Sequence, residues 1–265
     1  MPIDLYYMSL SAPCRAVLLT AKMVGVELNL KTVNLMGGEQ MKPEFLKINP
    51  QHTVPTLDDS GFVLTESRAI CAYLANKYGK NDKLYPKSPK DRAVVDQRLF
   101  FDLGVFYSSF SDYYYPIIFR GATSLDDGKK KKLDEALKFF NMFVSDRDFA
   151  AGDHLTIADL SLMASASTME SVNPKIFDDY PKIKEWMERC KNQISDYHDL
   201  NQVGAEIFGQ IGKSATLRRL EVLTGVPRYI ISHLSSNPEL NKYHGRMVSP
   251  SIMCKNQIPD YHDLN

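Results

Sequence analysis

Apolar and polar positions change in short blocks through residues 1–82, then settle into helical spacing for most of the remaining chain. Ile3 to Tyr7 reads as a short buried strand, and Pro13 to Gly25 as a helix with proline in its first turn and glycine at its end. Glu27 to Val33 predicts a second strand, and Lys42 to Ile48 a short helix. Pro55-Thr56-Leu57 and Phe62-Val63-Leu64 flank Asp58-Asp59-Ser60-Gly61 and predict a hairpin, and Ser67 to Tyr78 predicts a helix before Gly79. The order β-α-β-α-β-β-α implies a compact α/β unit over residues 1–82, with the first two strands parallel and the hairpin antiparallel.

After Lys80 the strand signal stops. Tyr85-Pro86-Lys87-Ser88-Pro89 reads as a linker into a second, all-helical unit over residues 89–213. Asp91 to Phe119 predicts one long helix, and Leu133 to Val144 carries apolar residues at helical spacing. Thr156-Ile157-Ala158-Asp159 is a helix-start signal ahead of Leu160 to Met169, and Pro181 to Cys190 and Gly204 to Ile211 supply two more helices. The lysine run Lys129 to Lys132 reads as the solvated front of the Leu133 helix.

Composition limits what such a chain can do. Of 265 residues, 44% are apolar and 24% charged, the proportions of a soluble globular protein with a sizeable core. Lys plus Arg and Asp plus Glu both number 32, so no global field draws nucleic acid or an anionic membrane. Asp4 stands in an N-terminus without a basic leader or a long apolar run; the expectation is a cytoplasmic protein with neither signal peptide nor membrane span. Cys14, Cys71, Cys190 and Cys254 lack Cys-x-x-Cys or Cys/His spacing, so free thiols are expected, with neither a disulfide framework nor a metal site. Cys190 to Asn201 recurs as Cys254 to Asn265 at eleven of twelve positions, differing only at Ser195 and Pro259. One truncated copy is not a solenoid. Two copies cannot fill one packing slot, so residues 214–265 are expected to lie outside the architecture as an anomalous tail.

Candidate chemistry gathers at three places. Ser11-Ala12-Pro13-Cys14 joins the first strand to the first helix, where thioredoxin-like folds carry a redox cysteine pair. Here serine leads, and a hydroxyl cannot exchange disulfides, although it can donate a hydrogen bond to a thiolate brought by a substrate. A free thiol of pKa ~8.5 is about 3% ionised at neutral pH, and lowering it by roughly 2 units takes about 2.7 kcal/mol. A hydrogen bond to a charged group supplies roughly 1.5–3 kcal/mol and a helix N-terminus roughly 0.3–1. Ser11 alone also reads as a plain helix cap, and Cys14, at the resolving position, as a buried structural thiol or a mixed-disulfide former. Val54-Pro55 interrupts a strand-like run, where proline favours an edge or a tight turn, cis or trans, beside a ligand. Glu66-Ser67-Arg68 opens a helix whose N–H groups suit a carboxylate.

Ser11 to Arg15, Asn49-Pro50-Gln51-His52-Thr53-Val54-Pro55 and Glu66-Ser67-Arg68-Ala69-Ile70 together resemble an insect delta-class glutathione transferase, up to about residue 213. The resemblance implies a thioredoxin-like glutathione-binding domain, an all-helical domain that takes the electrophile, and a homodimer. Glutathione is then a cosubstrate, and no cofactor or metal is implied. Carried over, Ser11 activates the thiol. Val54, with His52, Thr53 and Pro55 beside it, pairs with the cysteinyl part through its backbone. Glu66 and Ser67 hold the γ-glutamyl end, and His52 and Arg68 contact polar ends of the ligand. Leu35 and Gln40 stand near the glycyl carboxylate, and Asp102 joins Arg68 in a supporting charged network. Tyr107, Tyr115, Phe119 and Phe208 line the electrophile pocket under a terminal lid helix, although an aromatic stripe among Tyr107, Tyr113, Tyr114, Tyr115 and Phe119 equally suits core or dimer packing. Gln40 stands where the family often has histidine, and Thr65 where tryptophan is common. The implied activity is conjugation of hydrophobic electrophiles in detoxification, with dehydrochlorinase or peroxidase chemistry open to the same thiolate. A noncatalytic module of the same fold is the alternative.

Overall fold

The computed structural model describes residues 3–225, 227 and 228. In β1 (Ile3–Tyr7), buried Ile3 and Leu5 alternate with partly exposed neighbours, the period-two pattern of a strand. β1 lies inside a four-stranded sheet of order β2-β1-β3-β4. β2 (Leu28–Thr32) runs parallel to it, β3 (Thr56–Asp59) antiparallel, and β4 (Phe62–Leu64) pairs antiparallel with β3. A parallel pair needs a crossover, supplied by α1 (Ala12–Val24), which starts with proline in its first turn and stops at Gly25 with φ 76°. α2 (Pro43–Ile48) and α3 (Ser67–Tyr78) complete a thioredoxin-like unit with the expected element order.

The rest is helical: α4 (Pro89–Phe101), α5 (Tyr107–Phe119), α6 (Asp127–Phe143), α7 (Ile157–Val172), α8 (Pro181–Gln193) and α9 (Val203–Thr224). The single long helix expected over Asp91 to Phe119 is interrupted, because Asp102–Phe106 form a π-helical turn between α4 and α5. Asp102, which opens the turn, is fully buried on partners from other helices. α6 starts earlier than its apolar pattern because the Asp126 side chain caps it, accepting from the Lys129 N–H at 2.9 Å. α9 outruns the expected Gly204 to Ile211 and continues through residue 214 to Thr224, with buried Ala215 on its inner side. Residues 214–224 therefore belong to the helical unit. The second copy of the repeat, Cys254 to Asn265, lies outside the described residues.

α7 is buried at every residue from Ile157 to Met169. Asp159 fixes its start: it accepts from Thr156 and Ala150 N–H groups at 2.9 and 2.7 Å and from Trp186 Nε1 at 2.9 Å. One apolar cluster joins Leu5, Leu57, Ile70 and Leu74 to Val95, Leu99, Ile157 and Ala164, so the two units share a core across the α1–α7 contact. A second cluster surrounds Phe106, Phe110, Phe140 and Trp186 within the helical unit. Among the described residues, no helix is long and apolar enough to cross a membrane.

Candidate active site

Ser11 is the N-cap of α1, in extended backbone at φ −77° and ψ 116°. Its oxygen accepts from the Cys14 N–H at a long 3.4 Å, and a hydroxyl that accepts also carries a proton it can donate. The residue is half-buried rather than sealed in the core. Cys14 is 0% exposed, and burial pushes its thiol up to about 11 against the opposing pull of Ser11 and Arg15. Cys71 is buried as well and pushed up to about 11. Neither thiol has the exposure or acidity of a nucleophile, which fits a structural thiol at Cys14 rather than a mixed-disulfide former.

The loop before β3 carries His52, Thr53, Val54 and Pro55, and the Val54–Pro55 bond is cis. Asn49, 1% exposed, holds the loop: its amide donates to Thr53 O at 3.0 Å, Thr53 Oγ1 at 3.2 Å and Thr56 Oγ1 at 3.0 Å. His52 and Thr53 are exposed and Val54 half-buried, so the loop offers its surface outward. Glu66 caps α3 with φ 66°, a positive value that costs a non-glycine residue about 1–3 kcal/mol and recurs at ligand clamps. α3 begins with no side-chain cap bond and no acid in its first turn, so its N-terminus stays open to an external carboxylate. Gln40 and Leu35 are half-buried in the neighbouring 35–41 segment, and Gln40 Oε1 has no protein partner.

Arg68 couples this end to the second unit. Its Nη2 donates to Asp102 at 2.6 Å and its Nη1 to Ser67 Oγ at 3.1 Å, while Nε is buried without a protein partner. Burial opposes its charge, yet Asp102 holds the guanidinium pKa above its ordinary value. Asp102 also accepts from Ser161 and Ser165 of α7 at 2.5 and 2.8 Å.

The four aromatic residues of the expected pocket come together between α5 and α9. Tyr107 and Tyr115 share a 2.5 Å hydroxyl contact, Tyr115 lies 5.1 Å from Phe119 and 6.0 Å from Phe208, and Phe119 lies 5.9 Å from Phe208. Arg68 sits 5.9 Å above the Tyr107 ring, tying the cluster to the Asp102 network. Tyr113 and Tyr114 belong elsewhere: Tyr113 is 9% exposed in the helical core, and the Tyr114 hydroxyl accepts from Asn173 at 3.2 Å. Sequence reasoning did not single out Asn49, Ser161, Ser165 or Asn201 as supports. Asn49 alone had a local signal, since it opens the quoted Asn-Pro-Gln-His motif; the others depend on which helices meet.

A family model described as the glutathione S-transferase N-terminal domain matches residues 5–82, and one described as the glutathione S-transferase C-terminal domain matches residues 106–193. Glutathione S-transferase D7 of Anopheles gambiae is 49% identical over 212 residues, 79% of this chain and 96% of that protein. A delta-class glutathione transferase of Nilaparvata lugens superposes with a TM-score of 0.78 at 55% identity, covering 81% of this chain and 100% of that one. A glutathione transferase homologue of Drosophila mojavensis, solved with bound glutathione, gives a TM-score of 0.75 at 39% identity, covering 81% and 97%. With the fold and these likenesses in agreement, the chain belongs to the glutathione S-transferase family and is a glutathione transferase.

Proposed function

We propose that Ser11 donates a hydrogen bond from its hydroxyl to the thiolate of bound glutathione, which attacks an electrophilic carbon held against Tyr107, Tyr115, Phe119 and Phe208. A carbon–sulfur bond forms, and the leaving group departs with the electron pair of the bond it gives up. The observation that carries the reading is Ser11 itself, half-buried as the N-cap of α1, with its oxygen accepting from the Cys14 N–H only at a long 3.4 Å. The tripeptide lies along the His52–Pro55 loop, with the Val54 backbone paired to its cysteinyl unit. Its γ-glutamyl carboxylate rests on the open N-terminus of α3 beside Glu66, Ser67 and Arg68, and its glycyl end lies toward Leu35 and Gln40. Gln40 Oε1 and Arg68 Nε, both without protein partners, are an acceptor and a donor suited to a polar ligand.

The electrophile is apolar, because the pocket offers aromatic faces and two hydroxyls. Detoxification by conjugation is the main role in this reading, with halide elimination or hydroperoxide reduction as side reactions of the same thiolate. A cytoplasmic homodimer completes it. Phe100 and Leu103 on one side, at 72% and 43% exposure, and Phe139 and Met142 on the other, at 41% and 66%, are large apolar side chains left in water. Phe101 packs on Phe143 at 5.0 Å, so the exposed Phe100 and Met142 each flank a residue of one α4–α6 contact, a place for a second copy to cover. Conjugation of a chloronitrobenzene by Ser11→Ala is expected to fall by roughly 10- to 150-fold in kcat/KM, the value of a hydrogen bond to a charged group, with glutathione binding kept. Unchanged turnover would refute the role of Ser11.

A further inference from the structure

Arg15 stands one turn after Ser11, is 1% exposed, and has no carboxylate in ion-pair reach among the described residues. Every acceptor it meets is neutral. Nε donates to Asn201 Oδ1 at 2.9 Å, and Nη1 to the carbonyls of Ser9 and Leu10 at 3.1 and 2.8 Å. Nη2 donates to the Ala164 carbonyl at 3.2 Å and to Thr168 Oγ1. The Leu10 carbonyl belongs to the peptide group whose nitrogen is that of Ser11, so the guanidinium lies directly beneath the backbone that presents the serine. The ionisable groups facing it are Tyr107 and Tyr115 of α5, Tyr197 before α9, and Cys14 on its own helix, and burial keeps each of them neutral at neutral pH.

Tying the loop to α7 and to the segment before α9 requires donors. It does not require a charge, and an unpaired cation is costly to bury. Burial lowers the Arg15 pKa to about 10, so the group is charged throughout the working range. Arg98 is likewise buried on neutral acceptors, so what sets Arg15 apart is its place beneath Ser11, where its charge acts on any anion that arrives. Glutathione in its thiolate form is that anion at Ser11.

We propose that Arg15 is a positioning residue for the transferase reaction: its uncompensated charge favours the glutathione thiolate from below, while its fork holds the Ser9–Leu10 segment that aims Ser11. The inference rests on Ser11 being the thiolate-binding hydroxyl. A unit charge about 10 Å from an ionising group, across an effective dielectric of about 20, moves its pKa by about one unit.

Deleting Arg15 would strand its buried acceptors and unfold the chain, so the informative variant is Asn201→Asp. It puts a carboxylate 2.9 Å from Nε in the same shape, and Tyr197 and Ser167, which now accept from the Asn201 amide, can turn to donate. The thiolate absorbance of bound glutathione is titrated against pH in the wild type, Ser11→Ala and Asn201→Asp, with thermal midpoints recorded. The expected result is a thiol pKa raised by about one unit in Asn201→Asp, with a midpoint equal to or above wild type, since the field is neutralised while the scaffold survives. A purely structural Arg15 gives Asn201→Asp the wild-type thiol pKa. That outcome, with Ser11→Ala still raising the pKa, overturns this proposal alone. A wild-type thiol no more acidic than free glutathione overturns the role of Ser11 and this proposal together.

Discussion

Asp102→Ala removes the one carboxylate that compensates Arg68, and its cost can be set from the geometry. Asp102 is 0% exposed and accepts from Arg68 at 2.6 Å, Ser161 at 2.5 Å and Ser165 at 2.8 Å, while the Arg68 side chain is 12% exposed. Breaking a buried pair by removing one partner costs about 3–5 kcal/mol, because the remaining charge stays out of water. The two serines add little, since each lies mid-helix on α7 and can turn its hydroxyl back to a carbonyl of the preceding turn. A loss of about 3–5 kcal/mol is a large part of a typical stability of about 5–15. Urea unfolding followed by fluorescence reports it as a lower midpoint at unchanged slope, and glutathione affinity should fall too, because Arg68 also fixes Ser67 at 3.1 Å. The control is Asp102→Leu with Arg68→Met, which removes both charges at similar volume and is expected to recover most of the stability but not the binding. Asp102→Ala within about 1 kcal/mol of wild type, the worth of an exposed pair, would refute the claim that this ion pair is desolvated.

Two other expectations follow from how α9 sits. At Gly204 an added Cβ would meet the Ser9 carbonyl oxygen and Cδ of Arg15, the latter at 3.0 Å. Gly204→Ala, normally worth about 0.5–1 kcal/mol of helix stabilisation, is therefore expected to lower the thermal midpoint and raise KM for glutathione, and a stabilised variant would show that α9 does not press on this loop. Ending the chain after Lys213 removes buried Ala215 and the Arg219 bond to the Thr123 carbonyl and should lower the thermal midpoint relative to a chain ending after Gly225; equal midpoints for the two truncations would contradict the packing of residues 214–224.

The α/β unit was legible because each element there announces itself locally: Pro13 and Gly25 bracket α1, and Asp59-Ser60-Gly61 turns the hairpin. Ser11 and the Glu66-Ser67 helix start were readable for the same reason, since a cap and an uncapped N-terminus are properties of a few consecutive residues. The π turn was not. Its change of register depends on Asp102 meeting partners from α3 and α7, which no window around residue 102 contains. The end of α9 was misplaced because the repeat suggested a break at residue 214 where the helical pattern has none. Arg15 was quoted within the Ser11 motif yet given no role, because its meaning lies in Asn201, Ala164 and Thr168, far along the chain.

Arg15 and Arg68 divide the electrostatics of the site between them. Both start from helices of the thioredoxin-like unit and reach into the helical one, but only Arg68 finds a carboxylate there. Under the proposed function, that asymmetry matches the charges of the ligand. Near α3, where open N–H groups already suit a carboxylate, a compensated guanidinium supplies shape and donors without excess field. Near Ser11 a single hydroxyl must stabilise a charge that forms only when the thiol ionises, so a fixed cation beneath it acts on the ionised state alone and leaves the neutral thiol unaffected. The balanced net charge of the chain conceals this arrangement, in which Arg15, unlike Arg68, meets no carboxylate among the described residues.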